Sequence, residues 1–216
     1  MRRVRAPYYM LVCLLVAAVS LVAFAGAAVG DARSRTPGIV ASYYESGAIK
    51  MPAKSLSARQ LEILLKVEDP SFYEHHGVDF STPGAGWTTI TQALAKKFYF
   101  RDFRQGPMKI PQTLYAVSAL DPLVPKEQQL DLYINILSYG NSQTGLFDAA
   151  RYYYKKNPDR LSEDEYISLI GSLISPDDLN VEDHPRENAD RVRRIKQLLD
   201  GSYAPKGLFD ITYDRD

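Results

Sequence analysis

The sequence predicts a mostly α-helical domain behind one N-terminal transmembrane helix, and three observations carry that reading. Tyr8 to Val29 is a run of 22 residues without a charge. Three helix-start capping patterns recur downstream, and no strict apolar–polar alternation lasts beyond a few residues. With 45% hydrophobic and 24% charged residues over 216 positions, the composition is that of a folded protein.

As a helix, the uncharged run spans roughly 33 Å, about one bilayer hydrocarbon core. Arg2, Arg3 and Arg5 precede it, and no acid occurs before Asp31. Basic residues favour the cytoplasmic side, so residues 1–7 read as a cytoplasmic tail and 8–30 as the anchor. Residues 31–54 read as a linker, and 55–216 as a domain outside the cytoplasm. The small-x-small triplets Ala23-Phe24-Ala25 and Ala25-Gly26-Ala27 leave a cleaved signal peptide as the rival; either reading exports the domain.

Each helix has a local cause. Ser57 with Gln60, Thr89 with Gln92, and Ser162 with Glu165 have the spacing in which side chain and backbone cap each other. The first helix must end near Glu68, because Pro70 disfavours helical geometry at Asp69. The second, 89–100, places Ile90, Leu94 and Phe98 on one face. Further helices are expected over 109–120, 126–137, 145–155, 163–174 and 188–199, the last stopping at Gly201.

Charge and residue counts exclude several functions. Lys plus Arg (26) equals Asp plus Glu (26), so no basic excess points to nucleic acid. The single cysteine, Cys13, lies in the apolar run, which excludes an intramolecular disulfide, a CxxC pair and a cysteine zinc site. Three histidines, His75, His76 and His184, are too few for a histidine metal cluster.

Glu68 sits at a helix C-terminus, where the dipole disfavours negative charge and raises a carboxyl pKa, as suits a general base. By position alone it is equally a surface residue at a helix end. Gln92, Lys96 and Tyr99 recur at helical spacing opposite the Leu94 face, as an anion-binding stripe or a solvated one. Lys109 and Gln112, one turn apart, pose the same question.

The order of motifs decides between these readings. VEDPSFYEHHGVDF (67–80), GWTTITQALAKK (86–97), and LDLYINILSYG followed by TGLFDAARYYYKK (130–156) resemble the peptidoglycan glycosyltransferases of family 51. The resemblance implies a lysozyme-like helical fold that polymerises lipid II into glycan strands with release of polyprenyl pyrophosphate. It makes Glu68 the base with Asp69 beside it. It turns Thr89, Gln92 and Lys96 to the donor and Lys109 to the pyrophosphate, and makes Asn135 structural. Counting on from Lys96, the family's second catalytic Glu falls on Gln112 and an Arg on Met108. Only Ser81 to Gly86 join the first motif to Trp87, where the family has a longer segment, so a more open or altered donor site is expected. The resemblance requires no cofactor, though it allows a divalent cation. It implies as partners lipid II, nascent glycan, the membrane and other wall-synthesis proteins, with no nucleic acid. It places the chain as a single-pass protein of the bacterial inner membrane. No Ser-x-x-Lys motif is present, so no transpeptidase activity is expected. Two alternatives stay open: a non-catalytic binder of lipid II or glycan, and a lysozyme-like hydrolase, which needs a second carboxylate opposite Glu68.

Overall fold

The computed structural model describes residues 5–104 and 106–214. Residues 1–4 of the expected cytoplasmic tail therefore lie outside the described residues. The described chain is helical, with one isolated bridge between Ser138 and Thr144 and no strand. The longest helix, α1, runs Arg5–Glu45, and from Tyr8 it is long and apolar enough to cross a membrane. Leu21 and Phe24 stand 69% and 73% exposed, a costly arrangement in water and a natural one in lipid.

Helix α1 does not stop at the expected linker. It continues to Glu45 and lays Ala32, Thr36 and Val40, at i, i+4 and i+8, against the domain, all buried. Thr36 Oγ1 meets Tyr99 Oη at 2.7 Å, Arg33 donates to the Ser118 carbonyl at 2.6 Å, and Tyr43 stacks on Phe98. The polar residues between 31 and 36 read as a linker because most of them are solvated; only Ala32 and Thr36 of this stretch are buried against protein.

The domain follows as α2 (Ala58–Glu68), α3 (Ile90–Tyr99), α4 (Lys109–Tyr115), α5 (Lys126–Ile136), α6 (Leu146–Tyr154), α7 (Glu163–Ser172), α8 (Pro176–Leu179) and α9 (Pro185–Leu199). All three capping boxes form in both halves, at Ser57, Thr89 and Ser162. The short α8 is absent from the sequence reading, and α9 starts earlier than expected, with Pro185 in its first turn, where its missing N–H costs nothing.

The helix expected over 109–120 changes to a π-helical turn at Ala116–Leu120. The loop at Gly77 presses on that turn. A Cβ there would lie 3.0 Å from the Ala116 carbonyl carbon and oxygen, and Gly77 has φ +92°, so only glycine permits the approach.

Helix α5 runs through the middle of the core, with Leu132 and Ile134 fully buried. Its two buried amides are fully used. Gln129 accepts from Thr91 and donates to the Val124 carbonyl. Asn135 accepts from the Lys50 and Met51 amides and donates to the Met51 and Asp131 carbonyls, a purely structural use. These bonds tie the end of the α1 connection to the core.

Candidate active site

Pro70 ends α2 as expected and leaves Glu68 as its last residue, on the wall of a cleft of about 570 Å³. The cleft is also lined by Tyr133, Lys96, Trp87, Asp177 and Arg191. The Glu68 side chain is enclosed by protein but keeps partial exposure toward this cleft. Burial pushes its carboxyl up to about 7, against the opposing pull of the Tyr133 hydroxyl and the Arg191 charge. Tyr133 donates to Glu68 Oε2 at 2.5 Å. That phenol is itself buried, and burial together with the neighbouring carboxylate holds it protonated well above its ordinary range. The leading cause of the raised pKa is therefore desolvation, which the position of Glu68 at a helix end does not reveal.

The segment after Glu68 is a self-satisfied knot. Asp69 is 1% exposed, accepts from the Ile90 amide at 2.9 Å and meets His75 Nε2 at 2.9 Å with both oxygens. The Gly77 amide donates to His75 Nδ1, which assigns the proton to Nε2 and makes the pair a neutral-histidine hydrogen bond. Asp79 closes the loop by accepting from Ser71, Ser81 and Thr82. Burial raises its pKa, but those bonds outweigh it and hold the carboxyl far below the usual range. His76 turns outward, so the two adjacent histidines part as their neighbouring positions require.

Three residues expected at the substrate are inside the protein. Asp69 anchors the α3 N-terminus, Thr89 caps that helix and donates to the Gly77 carbonyl, and Gln92 donates to Thr113. Thr89 is 4% and Gln92 1% exposed, so neither side chain faces the cleft. The expected Gln92–Lys96–Tyr99 stripe also divides. Gln92 turns to α4 and Tyr99 to α1, while Lys96 alone lines the cleft. The capping box was the sufficient explanation for Thr89 and Gln92.

Lys109 Nζ donates to Thr88 Oγ1 at 2.8 Å, on the cleft lining. Burial, and then the Lys96 charge, bring its pKa down to about 8. Lys96 and Lys109 thus lie close enough to repel, and among the described residues neither is paired with a carboxylate.

Gln112 is 1% exposed; its Nε2 donates to the Gln92 carbonyl at 2.8 Å and its Oε1 has no partner. The residues present do not fit a divalent cation. Of the two catalytic carboxylates that the resemblance implies, the second is this buried neutral amide, and no group of three metal-ligating side chains converges among the described residues. Gln112→Glu is expected to lose the bond to the Gln92 carbonyl and bury an acid, destabilising the fold by about 1–3 kcal/mol. Activity should stay level or fall. A tenfold gain in turnover would overturn this.

The residue that sequence reasoning missed is Arg191. It is 3% exposed, lines the cleft, donates to the Ile211 and Thr212 carbonyls, and lies 4.7 Å from the Tyr213 ring centre. Asn188, Arg191, Ile195 and Leu198 share one buried face of α9, so the helical spacing held the signal. Gly171 of α7 makes room for it, since a Cβ there would meet Arg191 Cγ at 3.1 Å. Through Arg191 the C-terminal segment 202–214 straps across the short loop. Gly84 and Gly86 donate to the Gly207 and Leu208 carbonyls, and Tyr213 donates to the Val67 carbonyl beside Glu68. The loop expected to leave the donor side open is instead backed by this strap.

The described residues thus form a helical domain on one apolar helix, with a desolvated carboxyl, Glu68, and the Lys96 ammonium on the lining of one cleft. The chain belongs to the transglycosylase family, whose model matches residues 81–200. It is similar to penicillin-binding protein 1A of Escherichia coli, at 30% identity over 192 residues, 81% of this chain and 22% of that protein. It is also similar to the biosynthetic peptidoglycan transglycosylase of Shewanella amazonensis, at 30% over 138 residues (58% of this chain, 56% of the relative). A third relative is the monofunctional glycosyltransferase of Staphylococcus haemolyticus, at 29% over 168 residues (69% and 61%). The chain spans about a fifth of the length of the penicillin-binding proteins it matches and over half of the other two relatives.

Proposed function

We propose that the protein is a peptidoglycan glycosyltransferase that polymerises lipid II at the outer face of the bacterial inner membrane, held there by α1. The observation that carries this reading is Glu68, a carboxyl brought to about 7 on the wall of a cleft that Lys96 also lines. Glu68 takes the proton of the acceptor sugar's 4-hydroxyl as that oxygen attacks the donor's anomeric carbon, and the polyprenyl pyrophosphate leaves with inversion. Lys96 and Lys109 meet the charge that develops on the leaving pyrophosphate. Asp69, Thr89 and Gln92 serve this indirectly, by fixing the start of α3 and so the placement of Lys96. Tyr133 holds the carboxylate of Glu68 by its hydrogen bond, and the Arg191 charge favours the ionised form.

The test is polymerisation of labelled lipid II followed as a function of pH. As pH rises through about 7, Glu68 loses its proton and becomes a base, so kcat/KM rises. As pH passes about 8, Lys109 loses its charge and the pyrophosphate loses a partner, so kcat/KM falls. The expected profile is a narrow bell between those values; a profile flat across both would remove both residues from their roles. Lys96→Ala is expected to cost about 2–3 kcal/mol of transition-state stabilisation with little loss of fold, since its side chain caps no helix and anchors no buried group. The neutral Gln112 favours a second reading, a non-catalytic lipid II binder. Binding of labelled lipid II without glycan product would select it.

A further inference from the structure

Trp87 and Phe209 form the one aromatic pair that stands open at the cleft rim among the described residues. Trp87 is 53% and Phe209 62% exposed, with ring centres 5.5 Å apart and planes inclined by 30°. The pair is built by backbone. Gly86 donates to the Leu208 carbonyl at 2.7 Å, and each partner in that bond immediately precedes one of the two rings. Gly86 has φ +71°, and a Cβ there would lie 2.9 Å from Ile211 Cγ2, so the loop reaches the strap only as glycine. Two large rings held in place yet left in water are not a packing solution; each would gain by covering its free face.

We propose that Trp87 and Phe209 are a stacking platform for a hexopyranose ring of a glycan, continuous with the cleft that holds Glu68. This rests on the glycosyltransferase reading and adds a subsite to it. A pyranose presents a flat face of C–H bonds and an edge of hydroxyls. The indole and phenyl rings match the face. Lys97, Arg101 and Asp177, which line the same cleft and make no ion pair among the described residues, offer donors and acceptors to the edge. The two halves of the platform come from the shortened loop and the C-terminal strap, which pack on each other, so neither alone makes the site.

Trp87 is the chain's single tryptophan, so its emission reports this site alone. The full chain in neutral detergent is titrated with chitotetraose, a β-1,4-linked N-acetylglucosamine oligomer, and separately with phosphatidylglycerol vesicles. Lipid II polymerisation is measured on the same preparation. A saturable change with the oligosaccharide is expected, weakened about tenfold in Phe209→Ala and restored in Phe209→Tyr. Phe209 is exposed, so the alanine variant should fold; an unchanged helical spectrum checks this. Silent emission with chitotetraose in a preparation that polymerises lipid II overturns the platform and leaves the enzyme reading standing. Saturable emission without polymerisation upholds the platform and removes the enzyme. A response to vesicles alone, or equal binding by wild type and Phe209→Ala, overturns the platform in favour of a membrane contact or an incidental pair.

Discussion

Glu68→Gln is expected to reduce lipid II polymerisation by about 10²–10⁴-fold, the range a positioned general base contributes. Glutamine keeps the shape and still accepts from the Tyr133 hydroxyl, so the cleft should survive intact. It cannot take a proton. The same substitution should not weaken the fold. The wild-type carboxyl has a folded pKa near 7, above its ordinary 4.5, so the folded state holds the proton more tightly than the unfolded one. Its contribution to stability is therefore fully present below the ordinary value and lost as pH rises through about 7. Above that pH the wild type carries a desolvated charge and the glutamine variant does not, so the variant should melt at the same temperature or higher. Below it the difference should shrink. Thermal melts on both sides of neutrality, beside single-turnover glycan assays, check both parts. Activity above about a tenth of wild type would be incompatible with Glu68 as the base.

Arg191→Leu is expected to cost about 2–4 kcal/mol of stability, because two carbonyls lose a charged donor. Leucine fills part of the space but leaves the Ile211 and Thr212 carbonyls without their donor and the Tyr213 ring without its cation. The strap should then loosen from the short loop. A second effect separates this from a purely structural residue. The Arg191 charge lowers the Glu68 pKa, so its loss should move the rising limb of the pH–rate profile to higher pH. Arg191→Lys restores the charge without the forked geometry, and should recover the position of that limb better than it recovers stability. Denaturant midpoints measured with the pH profile test both. An unshifted limb in a folded Arg191→Leu protein would confine the residue to holding the strap.

Most of the helical framework was legible because its causes are local. A capping box needs four consecutive residues, and Pro70 acts on its neighbour; hence Ser57, Thr89 and Ser162 start helices where expected and Glu68 ends one. The motif order also pointed to Glu68 and Lys96, both of which line the cleft. Local chemistry thus set where α2, α3 and α7 begin and where α2 ends.

The tertiary structure decided which of those residues face the cleft. Asp69, Thr89 and Gln92 carry polar side chains that chemistry could use, and packing uses them instead, because a buried backbone amide or carbonyl at the start of α3 has no water to satisfy it. Tyr133 meets Glu68 across 65 positions of chain, and Tyr213 reaches Val67 across 146; no window of neighbouring residues contains such pairs. The docking of 32–40 against α3 and the closing of the short loop by 202–214 have the same origin. Each depends on surfaces that exist only once the core has assembled, so the environment that brings Glu68 near 7 is a property of the packed domain.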